Sequence, residues 1–137
     1  MTDTNEWFLE NHDHLRDLGI EIDDQREGFI RLTLPHEASL TNPGSEAIQG
    51  GVVATLIDHA GGAAIRTTLP DPMSTPHATT ELNVSYVRPA AADLTAEATV
   101  VRSGRSMGVV EVEVTMPTNE GEKTVAVGRV SLHLDRE

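Results

Sequence analysis

Between Gly50 and Thr67 the chain carries Val52, Val53, Ala54, Leu56, Ile57, Ala60, Ala63, Ala64 and Ile65. Wound at helical pitch, these positions cover nearly the whole circumference. A helix that is apolar all round is expected to be buried on every side. Pro70 and Pro72 keep it from running on. Beyond it the period changes to two. Thr80, Leu82, Val84 and Tyr86 alternate with Thr79, Glu81, Asn83 and Ser85; Leu94, Ala96, Ala98 and Val100 alternate with Asp93, Thr95, Glu97 and Thr99. Val110, Val112, Val114 and Met116 alternate with Glu111, Glu113 and Thr115, and Gly128, Val130, Leu132 and Leu134 with Arg129, Ser131 and His133. Each run predicts a strand with one apolar and one wet face, as in antiparallel sheet. The links Arg102–Ser106, around Gly104, and Pro117–Lys123, around Asn119 and Gly121, read as hairpins.

Ahead of the apolar helix, Thr4–Leu18 predicts one short helix capped by Thr4, with Glu6 in its first turn and Gly19 as its stop. Ile20–Gln25 is a weak strand candidate. Phe29–Leu34 is a better one, with Ile30, Leu32 and Leu34 on one face. Pro35–Ile48 reads as a loop punctuated by Asn42, Pro43 and Gly44. One helix wants burial on all sides, and one sheet has one apolar face to offer. Wrapping the sheet around the helix satisfies both. The expected fold class is α+β: a hotdog fold, with a five- or six-stranded antiparallel sheet around one long central helix, as a single domain over residues 1–137.

Composition adds constraints. The 38% hydrophobic share suits a globular domain and excludes disorder as the main reading. The apolar stretch Gly50–Ile65 contains Asp58 and His59 and is shorter than the ~20 residues a bilayer needs. With no cysteine there is no disulfide, no thiolate zinc site and no cysteine nucleophile. The first residues have neither the basic head nor the apolar core of a secretory leader, so a cytoplasmic location is expected. Twenty-two acidic residues against ten basic ones give a formal charge of −12, which disfavours nucleic acid as a partner. The basic set is nine arginines and Lys123 alone. An acidic surface stripped of lysine, over a core of small apolar residues, points to a halophilic protein, because ~1 M salt cuts the screening length to ~3 Å and mutes self-repulsion.

The run Gln49-Gly50-Gly51-Val52-Val53-Ala54-Thr55-Leu56-Ile57-Asp58, preceded by Asn42, resembles the signature of the PaaI-like hotdog acyl-CoA thioesterases: an asparagine, then His-Gly-Gly, then an acid nine residues after the histidine. Thr79–Ala90 resembles that family's next strand, and the Gly104-Arg105-Ser106 hairpin and final strand also fit. Gln49 stands where the family usually has histidine, and the Asn42-to-Gln49 spacing is one residue longer than its common pattern. The resemblance implies hydrolysis of acyl-CoA thioesters without a metal or a cofactor other than the coenzyme A of the substrate. It also implies a homodimer, commonly paired into a homotetramer, with active sites at the dimer interface.

The residues carry this chemistry as follows. Asp58 is the only carboxylate in an otherwise apolar helix, and an isolated buried carboxylate is costly. It is the candidate general base for water, or nucleophile toward the thioester carbon. Gly50, at the expected helix start, offers a free N–H at the positive end of the dipole and is the candidate oxyanion donor. Gln49 can donate an amide hydrogen bond to the carbonyl but cannot transfer a proton. Asn42 is a candidate for orienting water or bracing the loop, and Thr79 matches the position where a Ser or Thr from the facing subunit helps place water or the acid. Arg88, Arg102, Gly104, Arg105 and Ser106 are the candidate binders of the CoA phosphates, with Arg102 and Arg105 the best pair. His59 points ~100° away from Asp58, so a direct dyad is not expected. Gly61 and Gly62, costly in mid-helix, imply close packing against the sheet or the acyl group. An acyl-CoA-binding module without turnover is the alternative, and an enoyl-CoA hydratase ranks last.

Overall fold

The computed structural model describes residues 3–136. The helices are α1 (Thr4–Asn11), α2 (Asp13–Leu18) and α3 (Gly50–Arg66). The strands are β1 (Glu21–Arg26), β2 (Phe29–Leu34), β3 (His77–Tyr86), β4 (Leu94–Ser103), β5 (Met107–Thr118) and β6 (Gly121–Leu134). All six strands pair antiparallel in the order β1-β2-β4-β5-β6-β3, and α3 runs along the inner face of the sheet. This is the expected helix-in-sheet architecture. Among the described residues no helix is long and apolar enough to cross a membrane.

Register explains the fit. Leu32 pairs with Ala96, Ala96 with Val114 and Val114 with Ala126, so one row of inward side chains crosses four strands. A second row runs Ile30, Ala98, Val112, Gly128. Except for Gly128, which is partly buried, these residues are buried. Against them α3 lays the ridge Ile57, Gly61, Ile65. Each contact pairs a large residue with a small one or with none. Ile57 stands 3.0 Å from where a Gly128 Cβ would be, a Cβ on Gly61 would lie 2.6 Å from Val130, and Ile65 stands 2.6 Å from where a Gly108 Cβ would be. The helix therefore sits closer to the sheet than a Cβ-bearing ridge would allow.

Several expectations are corrected. The single helix Thr4–Leu18 is two helices broken at His12, whose φ of −108° and ψ of 108° are extended. The break lets Leu9, Leu15 and Leu18 all face the core. Asp3, not Thr4, caps α1, accepting from the N–H groups of Asn5 and Glu6. Pro117 and Lys123 are not in a loop: they pair within β5 and β6 next to Glu122 and Met116, and the turn closes between Thr118 and Gly121. Only the second half of α3, Gly61–Arg66, is buried all round; its first half leaves Gly51 exposed and Val52, Ala54, Thr55, Asp58 and His59 with some surface in solvent. The reason is β3. This strand pairs only with β6, and most of it is exposed on both faces, Leu82 and Tyr86 included.

Candidate active site

Two clefts flank the open side of α3, one at its N-terminus and one at its middle. At the N-terminus the loop is tied down by backbone bonds, Ile48 N–H to Ala90 O at 2.9 Å and Gln49 N–H to Leu40 O at 2.8 Å. Gln49 is the N-cap, and its Oε1 accepts from Val52 N–H at 3.2 Å. That bond occupies the side-chain carbonyl and leaves the amide nitrogen free to donate. Gly50 and Gly51, the first two helical residues, have N–H groups with no intrahelical acceptor, at the positive end of the dipole. A Cβ on Gly51 would stand 2.8 Å from Gln49 Oε1 and displace the cap. Tyr86, unassigned by sequence reasoning, packs its ring on Gly50 and donates its hydroxyl to Gly50 O at 2.6 Å. Its only sequence signal is that it is the sole tyrosine. Asn42 opens a turn in which Ser45 N–H bonds Asn42 O at 3.0 Å and Gly44 takes a φ of 73°. Asn42, Gly50, Tyr86 and Arg88 line one cleft of about 490 Å³.

Two turns along α3, Asp58 faces Thr79, whose hydroxyl donates to Asp58 Oδ1 at 2.7 Å. The strict alternation of β3 placed Thr79 with Glu81 on the outer face. The pairing slips between Thr79 and Glu81, so that Thr79 opposes Leu132 and Leu82 opposes Val130. The extra residue, Thr80, turns Thr79 to the same side as Leu82 and Tyr86, a usual effect of a bulge. Within one chain, Thr79 thus reaches Asp58 directly. Oδ2 of Asp58 takes part in no hydrogen bond within the described chain.

A second cleft, of about 480 Å³, runs from Asp58 and Thr79 along α3 past His59 and Gly62 to Arg66. His59 is mostly buried, its Nε2 has no hydrogen-bond partner among the described residues, and its pKa is pushed down to about 3, first by burial and then by Arg66 and His12. Arg66 is 7% exposed and its pKa falls to about 10 through burial, so it remains a cation at neutral pH. The glycine pair divides its work: Gly61 meets the sheet, and Gly62 meets the cleft and the Arg66 guanidinium.

The expected CoA binders do not form one cluster within the chain. Arg88 lies beside the N-terminus of α3, with Nη1 donating to Thr124 O at 2.8 Å. Arg102, Gly104, Arg105 and Ser106 lie on the β4–β5 hairpin at the other end of α3, where Ser103 bonds Thr68 and Gly108 meets Ile65. Arg102 and Arg105 are both exposed.

The chain has clear relatives. Residues 47–131 match the model of the Thioesterase superfamily. A Halobacterium salinarum protein named a putative esterase is 46% identical over 135 residues, covering 95% of this chain and 89% of its own. A solved thioesterase from Haemophilus influenzae superposes with a TM-score of 0.83 at 26% identity, over 99% of this chain and 93% of that one. The E. coli PaaI protein, from the phenylacetic acid degradation operon, superposes at 0.80 with 28% identity, over 93% and 88%.

Proposed function

Because the chain belongs to the thioesterase superfamily, we propose that it hydrolyses acyl-CoA thioesters to free acid and CoA at sites shared between two copies. The carrying observation is a spacing. Gly50 and Asp58 are eight residues apart on one helix, about 12 Å along its axis. One thioester carbonyl cannot touch both. A second copy crossing antiparallel at Ala54, midway between them, would set Gly50 of the partner subunit beside Asp58. The edge strand supports the same axis. Tyr86 rests on Gly50 and Thr79 on Asp58, and the midpoint of those two falls between Leu82 and Asn83 on the unpaired edge of β3. One two-fold axis serves both elements and pairs an exposed edge that otherwise invites misassembly.

The chemistry then follows. Thr79 holds Asp58 Oδ1, and Oδ2 takes a proton from water as the water oxygen attacks the carbonyl carbon. The oxyanion is held by the Gly50 N–H and the Gln49 amide, both of the partner subunit. Collapse expels the CoA sulfur, which takes the proton back from Asp58. Gln49 need only donate, and its capping bond engages Oε1 and not the amide nitrogen. Arg88 shares a cleft with Gly50 at the helix start, and with Arg102 and Arg105 it is assigned to the CoA phosphates. A cytoplasmic location and a homodimer or dimer of dimers belong to this reading.

The test is free-thiol release from a panel of acyl-CoAs. Asp58→Asn should fold and lose activity by two to four orders of magnitude. Binding of CoA esters with no release by the wild type would leave the non-catalytic module. Equal release by both proteins would remove Asp58 from the mechanism.

A further inference from the structure

The cleft beyond Asp58 ends in a cation without an anion. Arg66 Nε donates to Asn5 Oδ1 at 2.7 Å, and its guanidinium stacks 4.1 Å over the Phe8 ring. Its Nη1 lies 3.2 Å from His77 Nε2, which is an acceptor because Nδ1 is the donor to Thr75 O at 2.8 Å. Nη2 is buried with no partner, and among the described residues no carboxylate lies within salt-bridge distance of Arg66. A buried guanidinium normally has a counter-ion, since desolvating it uncompensated costs several kcal/mol. A helix C-terminus and one aromatic face repay only part of that. His59, which lines the same cleft, holds a second buried polar atom without a partner among the described residues, its Nε2.

The geometry is that of a chain-length gauge. Arg66 folds back along α3, as helical side chains do, so that Nη1 comes within 3.4 Å of where a Gly62 Cβ would be. Gly62 is one turn from Asp58, about 6 Å along the axis. Its missing side chain keeps the path between them open.

We propose that this cleft takes the acyl group and that Arg66, with His59 Nε2, selects acyl chains ending in a carboxylate about 6 Å from the thioester carbonyl. The substrate class is the mono-CoA thioester of a medium-length dicarboxylic acid. The carboxylate supplies the missing counter-ion, and a guanidinium fork is shaped to receive it. The thioester half of this inference rests on the hydrolase reading; the carboxylate half does not.

The experiment uses a matched pair, adipoyl-CoA and hexanoyl-CoA, which differ in that terminus. Wild-type kcat/KM should favour adipoyl-CoA by roughly tenfold to a hundredfold, the worth of a charge-assisted bond. Arg66→Met should bring the kcat/KM ratio of the two thioesters to about one. A measurement on the wild type alone guards against a variant that fails to fold: free adipate should raise its Tm, and hexanoate at equal ionic strength should not. If both thioesters are cleaved alike and adipate gives no shift, the assignment is overturned and the hydrolase stands. If neither is cleaved and adipate still protects, the hydrolase reading fails and the carboxylate site stands.

Discussion

His59, next to the candidate base Asp58, bears on stability as well. It is held neutral in a mostly buried position, with its pKa lowered from 6.5 to about 3. The unfolded chain therefore binds a proton that the folded chain refuses. Its stabilising contribution is full above pH 6.5 and is lost as pH falls from there toward 3, by about 1.4 kcal/mol for each unit. His59→Gln should unfold less steeply with acid than the wild type between pH 6 and 4, about two units within that window. Parallel Tm-versus-pH curves for the two proteins would exclude this account. The sequence put His59 beside Asp58 with no direct dyad expected, and among the described residues the hydrogen bond to Asp58 comes from Thr79. Its burial was not legible, because it depends on α1 and on the Pro72–Thr75 segment folding across it. Arg66 was passed over for a similar reason. A basic residue closing an apolar helix looks like a dipole partner, and only the three-dimensional list of its neighbours shows the missing anion.

At the scale of elements, the ridge Ile57–Gly61–Ile65 sets how near the helix comes to the sheet. Gly61→Ala places a Cβ 2.6 Å from Val130, and both are buried. Overpacking should outweigh the gain in helix propensity and lower stability by about 1–2 kcal/mol. Gly62→Ala, facing the cleft, should leave stability equal or higher. Chemical denaturation of the two variants decides it, and the account fails if the order is reversed. Period alone located α3, β2 and β4 closely, but it trimmed both ends of β5 and found only the second half of β6, which begins at Gly121 and not at Gly128. It misplaced what breaks period. The bulge at Thr80 reverses the facing of Thr79, and no turn residue announces it. The hinge at His12 likewise lies in a helical pattern that only tertiary packing interrupts.

For the whole molecule, the proposal of shared sites makes a sharp prediction. Gly50→Pro deletes the donor N–H while keeping a residue suited to the first helical position. Mixed with Asp58→Asn chains, two inactive proteins should recover about a quarter of wild-type activity: half the dimers are mixed, and each holds one intact site of two. No recovery after confirmed subunit exchange would place each site within one chain. The charge of −12 acts at this scale as well. Raising salt from ~0.1 M to ~2 M should raise Tm by several degrees, because screening reaches well inside the spacing of surface carboxylates. A flat salt profile would argue for an ordinary acidic protein.

The eight-residue interval between Gly50 and Asp58 has a last consequence, in terms of dilution. On the proposed shared-site reading, a lone chain would own two halves of different sites and no complete one. Specific activity should then depend on enzyme concentration, collapsing below the dissociation constant of the dimer while each chain stays folded. Two bodies each of charge −12 repel as they meet, so in weak buffer that collapse should arrive at higher protein concentration than in strong salt. Ionic strength would thus reach turnover first through assembly, and through the fold only afterwards.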